Sequence, residues 1–277
     1  MAVHESLFEY YLHQHRNSEN YLEQCMEHAQ PEVVHQLRLC IKKLRAFNKL
    51  AKQLGLDNHE EYADLTFHFR KMFKLTGQIR DTQVQMHMLD DHEAKTGIPY
   101  PEFKKWLVSR EKKRVSRLTH SPRRVLTHPT EEKSYKETID GISHSNDRII
   151  LESADNVLDN LYRKAQKLAT GNISDVNLHR IRKITKQIRY ILNVLHCSYP
   201  DYVYKRVNIA TLREIEAAAG EWHDNLIRTE LLGRFLEKFQ KSDKPDLFKY
   251  QQLADFFSDE LESFYDNACK VVKEKLL

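Results

Sequence analysis

Glycine and proline are scarce in this chain, with seven of each among 277 residues. Few segments are rich in β-branched residues, while apolar residues make up 40% of the sequence, enough to build a core. A chain with few turn-forming residues and many amphipathic segments is typical of helical proteins. We therefore predict an all-α fold, in one large or two smaller domains.

Several functional signatures are missing as well. There is no G-x-x-x-x-G-K-[ST] loop, and seven glycines are too few for a glycine-rich phosphate cradle. The 15 histidines form neither H-E-x-x-H nor a cysteine–histidine zinc spacing, so we expect no metal and no cofactor. No apolar run approaches the roughly 18 residues of a membrane span, and no signal peptide is visible. We accordingly expect a cytoplasmic protein that makes no membrane contact.

Two segments instead concentrate positive charge, although the whole chain carries a net charge of only +4. The first, Val34 to Leu54, holds six basic residues and no acidic residue. On an α-helix its apolar side chains fall on one side, and a row of basic side chains falls on the other, within an arc of about 80°. We call this row the first stripe: His35, Arg38, Lys42, Arg45 and Lys49.

The second segment, Leu178 to Leu195, repeats this pattern 144 residues later. The spacing H-x-x-R-x-x-x-K-x-x-R recurs position for position, and the apolar side of the helix recurs with it. A repeat at about half the chain length predicts two similar halves that face each other. We call the second row the second stripe: His179, Arg182, Lys186 and Arg189.

A further match, at an offset of 143 residues, supports the repeat. Gly77-Gln-Ile-Arg80-Asp81 corresponds to Gly220-Glu-Trp-His223-Asp224, and Arg70 corresponds to Arg213. Periodicity and turn residues predict four helices in each half. Their approximate ranges are 3–29, 31–54, 60–93 and 103–118, then 146–168, 175–199, 202–239 and 246–277. The predicted organisation is a four-helix unit over 1–120, a connector over 121–145 and a second four-helix unit over 146–277.

Together these motifs resemble the CHAD family, whose name denotes a conserved-histidine α-helical domain. The resemblance spans most of the chain, and duplication at fixed spacing makes it fairly specific. It implies two pseudo-symmetric four-helix bundles around a central basic channel that binds inorganic polyphosphate, and possible binding of other polyanions. Three positions depart from the pattern of the first half: His223 replaces Arg80, Gln187 replaces Lys43 and Asn193 replaces Lys49. We therefore expect the second half to hold the anion less tightly.

The polyphosphate ligands that we expect lie on the two stripes and at basic positions beside them. They are His35, Arg38, Lys42, Lys43, Arg45, Lys49, Arg70, Lys74, Arg80, His179, Arg182, Lys183, Lys186, Arg189, Tyr190, Arg213 and His223. Asp81 and Asp224 are expected to pair with stripe cations and fix their rotamers, or else to form ordinary surface ion pairs.

Other interpretations stay open for parts of this set. A stripe can be a solvated charged surface, although such surfaces usually mix both signs of charge. His35 and His179 either donate to phosphate or hydrogen-bond to the neighbouring bundle, and Tyr190 either bonds to phosphate or packs in the core. The basic helix over 103–118 either lines the channel or is a solvated surface, and the second alternative is slightly favoured.

Two other functions compete with polyphosphate binding. Nucleic-acid binding also uses basic helices, but the cationic sides of these helices carry few aromatic residues for base stacking. The third function is that of an enzyme on phosphate compounds or of its accessory domain. CHAD domains are often joined to a triphosphatase domain with an E-x-E-x-K signature, and here Glu214-Ile215-Glu216 lacks the lysine. We expect a stand-alone, non-catalytic binding domain associated with polyphosphate granules, and the sequence does not predict its oligomeric state.

Overall fold

The structure is a computed structural model that describes residues 3–53, 59–121, 147–239 and 247–277. Every regular element within these ranges is an α-helix, which confirms the all-α prediction. No helix in the described ranges is long and apolar enough to cross a membrane. In chain order the helices are α1 (Val3–Glu27), α2 (Pro31–Gln53), α3 (His59–Thr96), α4 (Pro101–Thr119), α5 (Asp147–Ala169), α6 (Asp175–Ser198), α7 (Ile209–Phe239) and α8 (Leu247–Leu276).

The structure corrects one predicted boundary, because the helix expected from Tyr202 begins only at Ile209. The residues before it form an irregular segment in which the buried Tyr202 hydroxyl donates a hydrogen bond to Asp155 on α5. The side chain of Asn208 then accepts a hydrogen bond from the first turn of α7, as an N-cap does. The predicted breaks at 55–58 and 242–245, and nearly all of the predicted connector, lie outside the described residues.

The helices associate both within and between the two halves. Helix α1 packs on α2, α3 on α4, α5 on α6 and α7 on α8, while α1 and α2 also pack on α6. The main hydrophobic cluster includes the fully buried Leu37 and Leu44 of α2 together with Ile181 and Ile188 of α6. The apolar sides of the two stripe helices therefore pack in one shared core, and their basic sides lie outside this core.

A second hydrophobic cluster joins α3 and α4 to α7 and α8. It contains Leu89, Phe103, Phe235 and Phe257, each less than one-tenth exposed. Burial of these side chains fixes the position of α4 against α7, because apolar surface removed from water contributes roughly 25 cal/mol per Å². Both clusters draw residues from each half, and the division into two units at 121–145 stays a prediction.

Candidate functional site

The two stripes come together where α2 packs on α6. Burial, together with the positive charges of Lys186, Arg38 and Arg182, lowers the pKa of Lys42 to about 7. Burial also lowers the pKa of Lys186 to about 8, with the charge of Arg182 as the next cause. Lysines whose pKa values are lowered this far are partly removed from water and lie among like charges. We call these four residues the cation cluster: Arg38, Lys42, Arg182 and Lys186.

One hydrogen bond links the two stripe helices directly. The Nζ atom of Lys49 on α2 donates to Oε1 of Gln187 on α6 at 3.0 Å. Gln187 occupies the position that Lys43 occupies in the first half. The neutral side chain of Gln187 therefore accepts a hydrogen bond from a lysine of the other half. A lysine at this position would instead repel Lys49.

Arg38 is held in place by α3. Its Nη1 atom donates to the backbone carbonyl of Phe73 at 2.8 Å, and its guanidinium carbon lies 4.0 Å from the centre of the Phe73 ring. Gly77, one turn further along α3, leaves room for this side chain, since a Cβ atom there would lie 2.9 Å from Nη1. Burial lowers the pKa of Arg38 to about 10. The guanidinium group is therefore positioned by packing as well as by charge.

Arg189 of the second stripe is already paired. Its Nε and Nη2 atoms donate to the two carboxylate oxygens of Glu216 on α7 at 2.7 and 2.9 Å. This fork-to-carboxylate geometry is a strong charge-assisted arrangement, and the hydrogen bonds raise the pKa of Arg189. Glu216 was not predicted as a partner of the stripe. The available signal was its spacing, because Glu216, Gly220 and Asp224 recur every four residues and so share one side of α7.

The two aligned aspartates lie beside the cation cluster. Burial raises the pKa of Asp81, and the positive charges of Arg38 and Arg114 oppose this shift. Burial also raises the pKa of Asp224, and Arg182 is the first of the cations that oppose it. Each carboxylate thus lies near an arginine of the stripe in its own half, but among the described residues neither forms an ion pair with it within 4.0 Å, and the pairing role stays a prediction.

The histidines at the start of the stripes lie near the second aligned motif of each half. The rings of His179 and His223 are 4.9 Å apart between centroids. Burial lowers the pKa of His223 to about 3, and its Nδ1 atom is buried without a hydrogen-bond partner among the described residues. Burial also lowers the pKa of His35, and the charge of Arg80 is the next cause. Burial lowers the pKa of His179 as well, so the neutral form of all three histidines predominates at pH 7.

The model of the CHAD domain family matches residues 10–233 of this chain, a range that contains both stripes and both aligned aspartates. The chain belongs to the CHAD family. Its fold is similar to the crystal structure of the CHAD domain from the plant Ricinus communis, with a TM-score of 0.74 at 17% sequence identity. That similarity covers 100% of this chain and 92% of the other, and at this identity it shows the fold alone. Comparison with curated proteins gave no match.

Several predicted ligands of this CHAD domain lie outside the cation cluster. Arg45 lies on the exposed side of α2, where partial loss of contact with water, together with the charge of Arg70, lowers its pKa. The exposed side chains also include Arg70, Lys74, Lys183 and Arg213. The structure does not bring these five residues into the buried group, and their role as ligands stays a prediction.

Three further predicted ligands have intermediate or buried positions. Tyr190 belongs to the main hydrophobic cluster and is 5% exposed, with the Arg189 guanidinium carbon 4.6 Å from its ring centre, which favours the packing alternative. Arg80 and Lys43 are partly exposed, and Arg80 donates to the backbone carbonyl of Pro31 at 3.5 Å. Within the ranges that the structure describes, no three His, Cys, Asp or Glu side chains are grouped as metal ligands.

Helix α4 contributes a residue that sequence analysis did not single out. Arg114 donates from Nη1 to the backbone carbonyl of Gln78 and to the hydroxyl of Thr82, both on α3. Burial lowers the pKa of Arg114 to about 10, and its positive charge acts on Asp81. At Arg114, therefore, the basic helix adjoins the site instead of forming only a solvated surface.

Proposed function

We propose that this CHAD domain binds inorganic polyphosphate in a basic channel between its two stripes and catalyses no reaction on it. The observation that carries this proposal is the convergence of the cation cluster from two helices that lie 144 residues apart in sequence. Four cations held together and partly out of water repel one another, and a chain of phosphates would relieve that repulsion. We further propose that the two halves form pseudo-symmetric four-helix bundles around this channel.

The chemistry of the cluster suits a linear phosphate polymer. Arginine offers a planar fork to phosphate oxygens, and lysine offers a movable point charge. Bound phosphate would also favour the protonated forms of Lys42 and Lys186, whose pKa values are lowered in the free protein. Release of the counterions of the polymer would add to the affinity, as it does for nucleic-acid backbones.

The surroundings of the cluster favour polyphosphate over nucleic acid. Phe73 and Tyr190 are aromatic residues close to the stripes, but the guanidinium groups of Arg38 and Arg189 cover their rings. Covered rings are unable to stack on bases, which is the usual source of affinity for single strands. The half-buried cations also lie between helices, whereas a duplex reader displays its helix in a groove. Other flexible polyanions share the chemistry of polyphosphate and are weaker candidates.

The test is a direct comparison of anions. The purified protein would be titrated with long-chain polyphosphate, single-stranded DNA and duplex DNA at matched charge and salt concentration. We expect the tightest binding for polyphosphate, with the logarithm of the affinity falling linearly as the logarithm of the salt concentration rises. Equal affinities for polyphosphate and DNA would favour the nucleic-acid alternative, and a response independent of salt would contradict both.

Two accompanying proposals have their own measurements. Because the proposed domain is non-catalytic, incubation with polyphosphate and divalent cations should release no free phosphate. We also propose that the protein is cytoplasmic and associates with polyphosphate granules, which fluorescence microscopy of a tagged protein would test. Phosphate release above that of a protein lacking the cation cluster would contradict the first proposal.

A further inference from the structure

A separate group of arginines lies where α4 packs on α7. Aromatic rings fix this packing, because the ring of Phe235 on α7 lies 5.2 Å from that of Phe103 and 6.0 Å from that of Trp106, centre to centre. Arg110 follows Trp106 by one helical turn, and Arg234 directly precedes Phe235. The two guanidinium groups are thereby brought near each other, and the charge of Arg234 adds to the burial that lowers the pKa of Arg110.

Two more arginines of α4 belong to the same group. Arg110, Arg114 and Arg117 are separated by four and three residues, so they share one side of the helix. The charges of Arg110, Arg234 and Arg117 add to the burial that lowers the pKa of Arg114. We call these four residues the arginine patch: Arg110, Arg114, Arg117 and Arg234.

The arginine patch adjoins the first stripe at a single carboxylate. Asp81 experiences the positive charge of Arg38 from α2 and that of Arg114 from α4. Arg114 is fixed there by its hydrogen bonds to Gln78 and Thr82 of α3. The cation cluster and the arginine patch therefore lie on opposite sides of one carboxylate, close enough for both to act on its pKa.

Two acidic residues near the patch form no strong ion pair with its arginines. The Oε1 atom of Glu111 accepts a hydrogen bond from Gln83 at 2.8 Å. Glu230 meets Arg234 at 3.5 Å, but the two side chains are 48% and 54% exposed, and exposed pairs of this kind contribute little. The Nε atom of Arg110 is buried and has no hydrogen-bond partner among the described residues. A buried N–H group without an acceptor is unfavourable, so Arg110, whose guanidinium carbon lies 5.0 Å from the centre of the Trp106 ring, has unmet hydrogen-bonding capacity.

Two exposed lysines of α4 lie away from the patch. Lys105 and Lys112 are seven residues apart and exposed, and on a helix they lie on the side opposite Arg110. Arginine is the residue whose planar fork matches phosphate oxygens, and here arginines occupy the side of α4 that faces α3 and α7. A merely solvated helix surface would mix acidic residues among them.

We infer that the arginine patch is a second anion-binding surface, which takes further phosphate units of a polyphosphate chain whose first part lies along the stripes. This inference rests on the proposed function and adds a chain-length preference to it. A short phosphate chain would occupy the cation cluster alone, whereas a long chain would occupy the cluster and the patch together. Removal of patch charges should consequently weaken the binding of long chains selectively.

The experiment titrates the full chain with triphosphate and with long-chain polyphosphate, in the wild type and in R110Q/R234Q. We expect the double variant to lose about tenfold in affinity for the long chain. The slope of log affinity against log salt concentration should also fall by about the amount that corresponds to two phosphate contacts. Its affinity for triphosphate should stay within about twofold of the wild type, because triphosphate reaches only the cation cluster. K105Q/K112Q is the matched control, since it removes two positive charges from the other side of α4 and should leave both affinities unchanged.

Thermal melting separates a binding effect from a folding effect. If R110Q/R234Q melts at a lower temperature than the wild type, the single variant R234Q replaces it in the test, because Arg234 is exposed. R234Q should lose about threefold in affinity for the long chain and none for triphosphate. The inference is overturned by equal losses for both ligands, by an unchanged long-chain affinity, or by an equal loss in K105Q/K112Q. If the wild type binds neither ligand, the proposed function itself fails and the inference fails with it.

Discussion

The two halves of the molecule differ most clearly at one aligned position, which holds Phe73 on α3 and Glu216 on α7, 143 residues apart. The ring of Phe73 lies 4.0 Å from the guanidinium carbon of Arg38 and 5.2 Å from that of Arg45. Glu216 instead holds Arg189, the counterpart of Arg45, through two hydrogen bonds. The first half therefore faces its arginines with a neutral ring, and the second half faces one of them with a carboxylate.

This difference teaches that counting basic residues overstates the charge available to an anion. Arg38 is fixed to α3 over Gly77, but no atom lies within 4 Å of a Cβ built at Gly220, so Arg182 does not lie over its aligned glycine. The Nε atom of Arg182 is buried and has no hydrogen-bond partner among the described residues. The two halves thus repeat the same basic residues, but α3 holds Arg38 in the first half and Glu216 holds Arg189 in the second.

The largest expected effect comes from removing the cation cluster one half at a time. R38A/K42A and R182A/K186A should each lose on the order of a hundredfold in polyphosphate affinity, because each removes two charge-assisted contacts of about 1.5–3 kcal/mol. Relative to R182A, R38A should also lower the free energy of unfolding by about 1–2 kcal/mol, because Arg38 alone has the hydrogen bond and ring contact to Phe73. Calorimetric titration and thermal denaturation measure the two quantities.

K52A serves as the control for this comparison, because Lys52 is exposed and lies outside the first stripe. We expect it to change the affinity by about twofold or less. A loss in K52A as large as that in R38A/K42A would show that the attraction is diffuse and that the cation cluster is not the site.

The next effect concerns pH, and here the two halves agree, since each contributes one lysine with a lowered pKa to the cation cluster. Lys42 and Lys186, with pKa values of about 7 and 8, lie among the cations Arg38, Arg182 and Arg189 and the carboxylates Glu216 and Asp224. An anion prefers the protonated lysines, so binding should take up protons and weaken by roughly tenfold to a hundredfold between pH 6 and 9. Calorimetry in buffers of different ionisation enthalpy counts the protons, and an unchanged affinity across this range would contradict the prediction.

The same lysines predict the pH dependence of stability without the anion. Their pKa values in the folded chain lie below the ordinary value of 10.5, so the unfolded chain binds more protons between about pH 7 and 10. Stability should consequently rise with pH in this window as far as these two groups are concerned. K42M/K186M should lose that rise, which urea denaturation at several pH values would show.

Glu216→Gln should give a smaller effect of opposite sign on affinity. Loss of the carboxylate charge frees Arg189 for phosphate and should raise the polyphosphate affinity by about tenfold, which corresponds to about 1.4 kcal/mol. Glu214→Gln is the matched control, since Glu214 lies two residues away on α7 and pairs with Lys275 at 2.5 Å. Weaker binding in E216Q would mean instead that Glu216 orients Arg189 for the anion.

The smallest effect compares the two aligned glycines. Gly220→Ala should stabilise the protein by up to about 1 kcal/mol, because alanine is the better helix former and its Cβ meets open space. Gly77→Ala places a Cβ at 2.9 Å from Arg38 Nη1, so the guanidinium group must move. We expect no gain in melting temperature and a loss of affinity of a few-fold for G77A. Equal gains in stability with unchanged binding would show that the position of Arg38 over α3 is unimportant.

Much of the fold was predictable because its determinants are local. The period of apolar residues and the scarcity of glycine and proline identified the eight described helices, and their ends fall within a few residues of the predicted ranges. The exception is the start of α7, which follows an irregular segment whose Tyr202 donates a hydrogen bond to Asp155, 47 residues away in the chain. Local propensity contains no information about such a contact.

The candidate site was predictable only in part. The repeat identified the stripes, and the structure brings Arg38, Lys42, Arg182 and Lys186 together as the repeat suggested. The same pattern placed Arg189 among free cations, although Glu216 pairs with it. It also left the position of α4 open, because a basic helix looks alike whether it lies against α3 or in solvent.

The sequence by itself determined the helical class, the duplicated basic stripes and the apolar sides on which α2 and α6 pack. Each follows from residue type and helical period along one segment. Only the tertiary structure decided which carboxylates face the stripes, how far the pKa values of Lys42 and Lys186 are lowered, and which side of α4 adjoins the site. The reason is that electrostatic interactions depend on distance and burial between residues far apart in the chain, and a helical period fixes direction around one helix only.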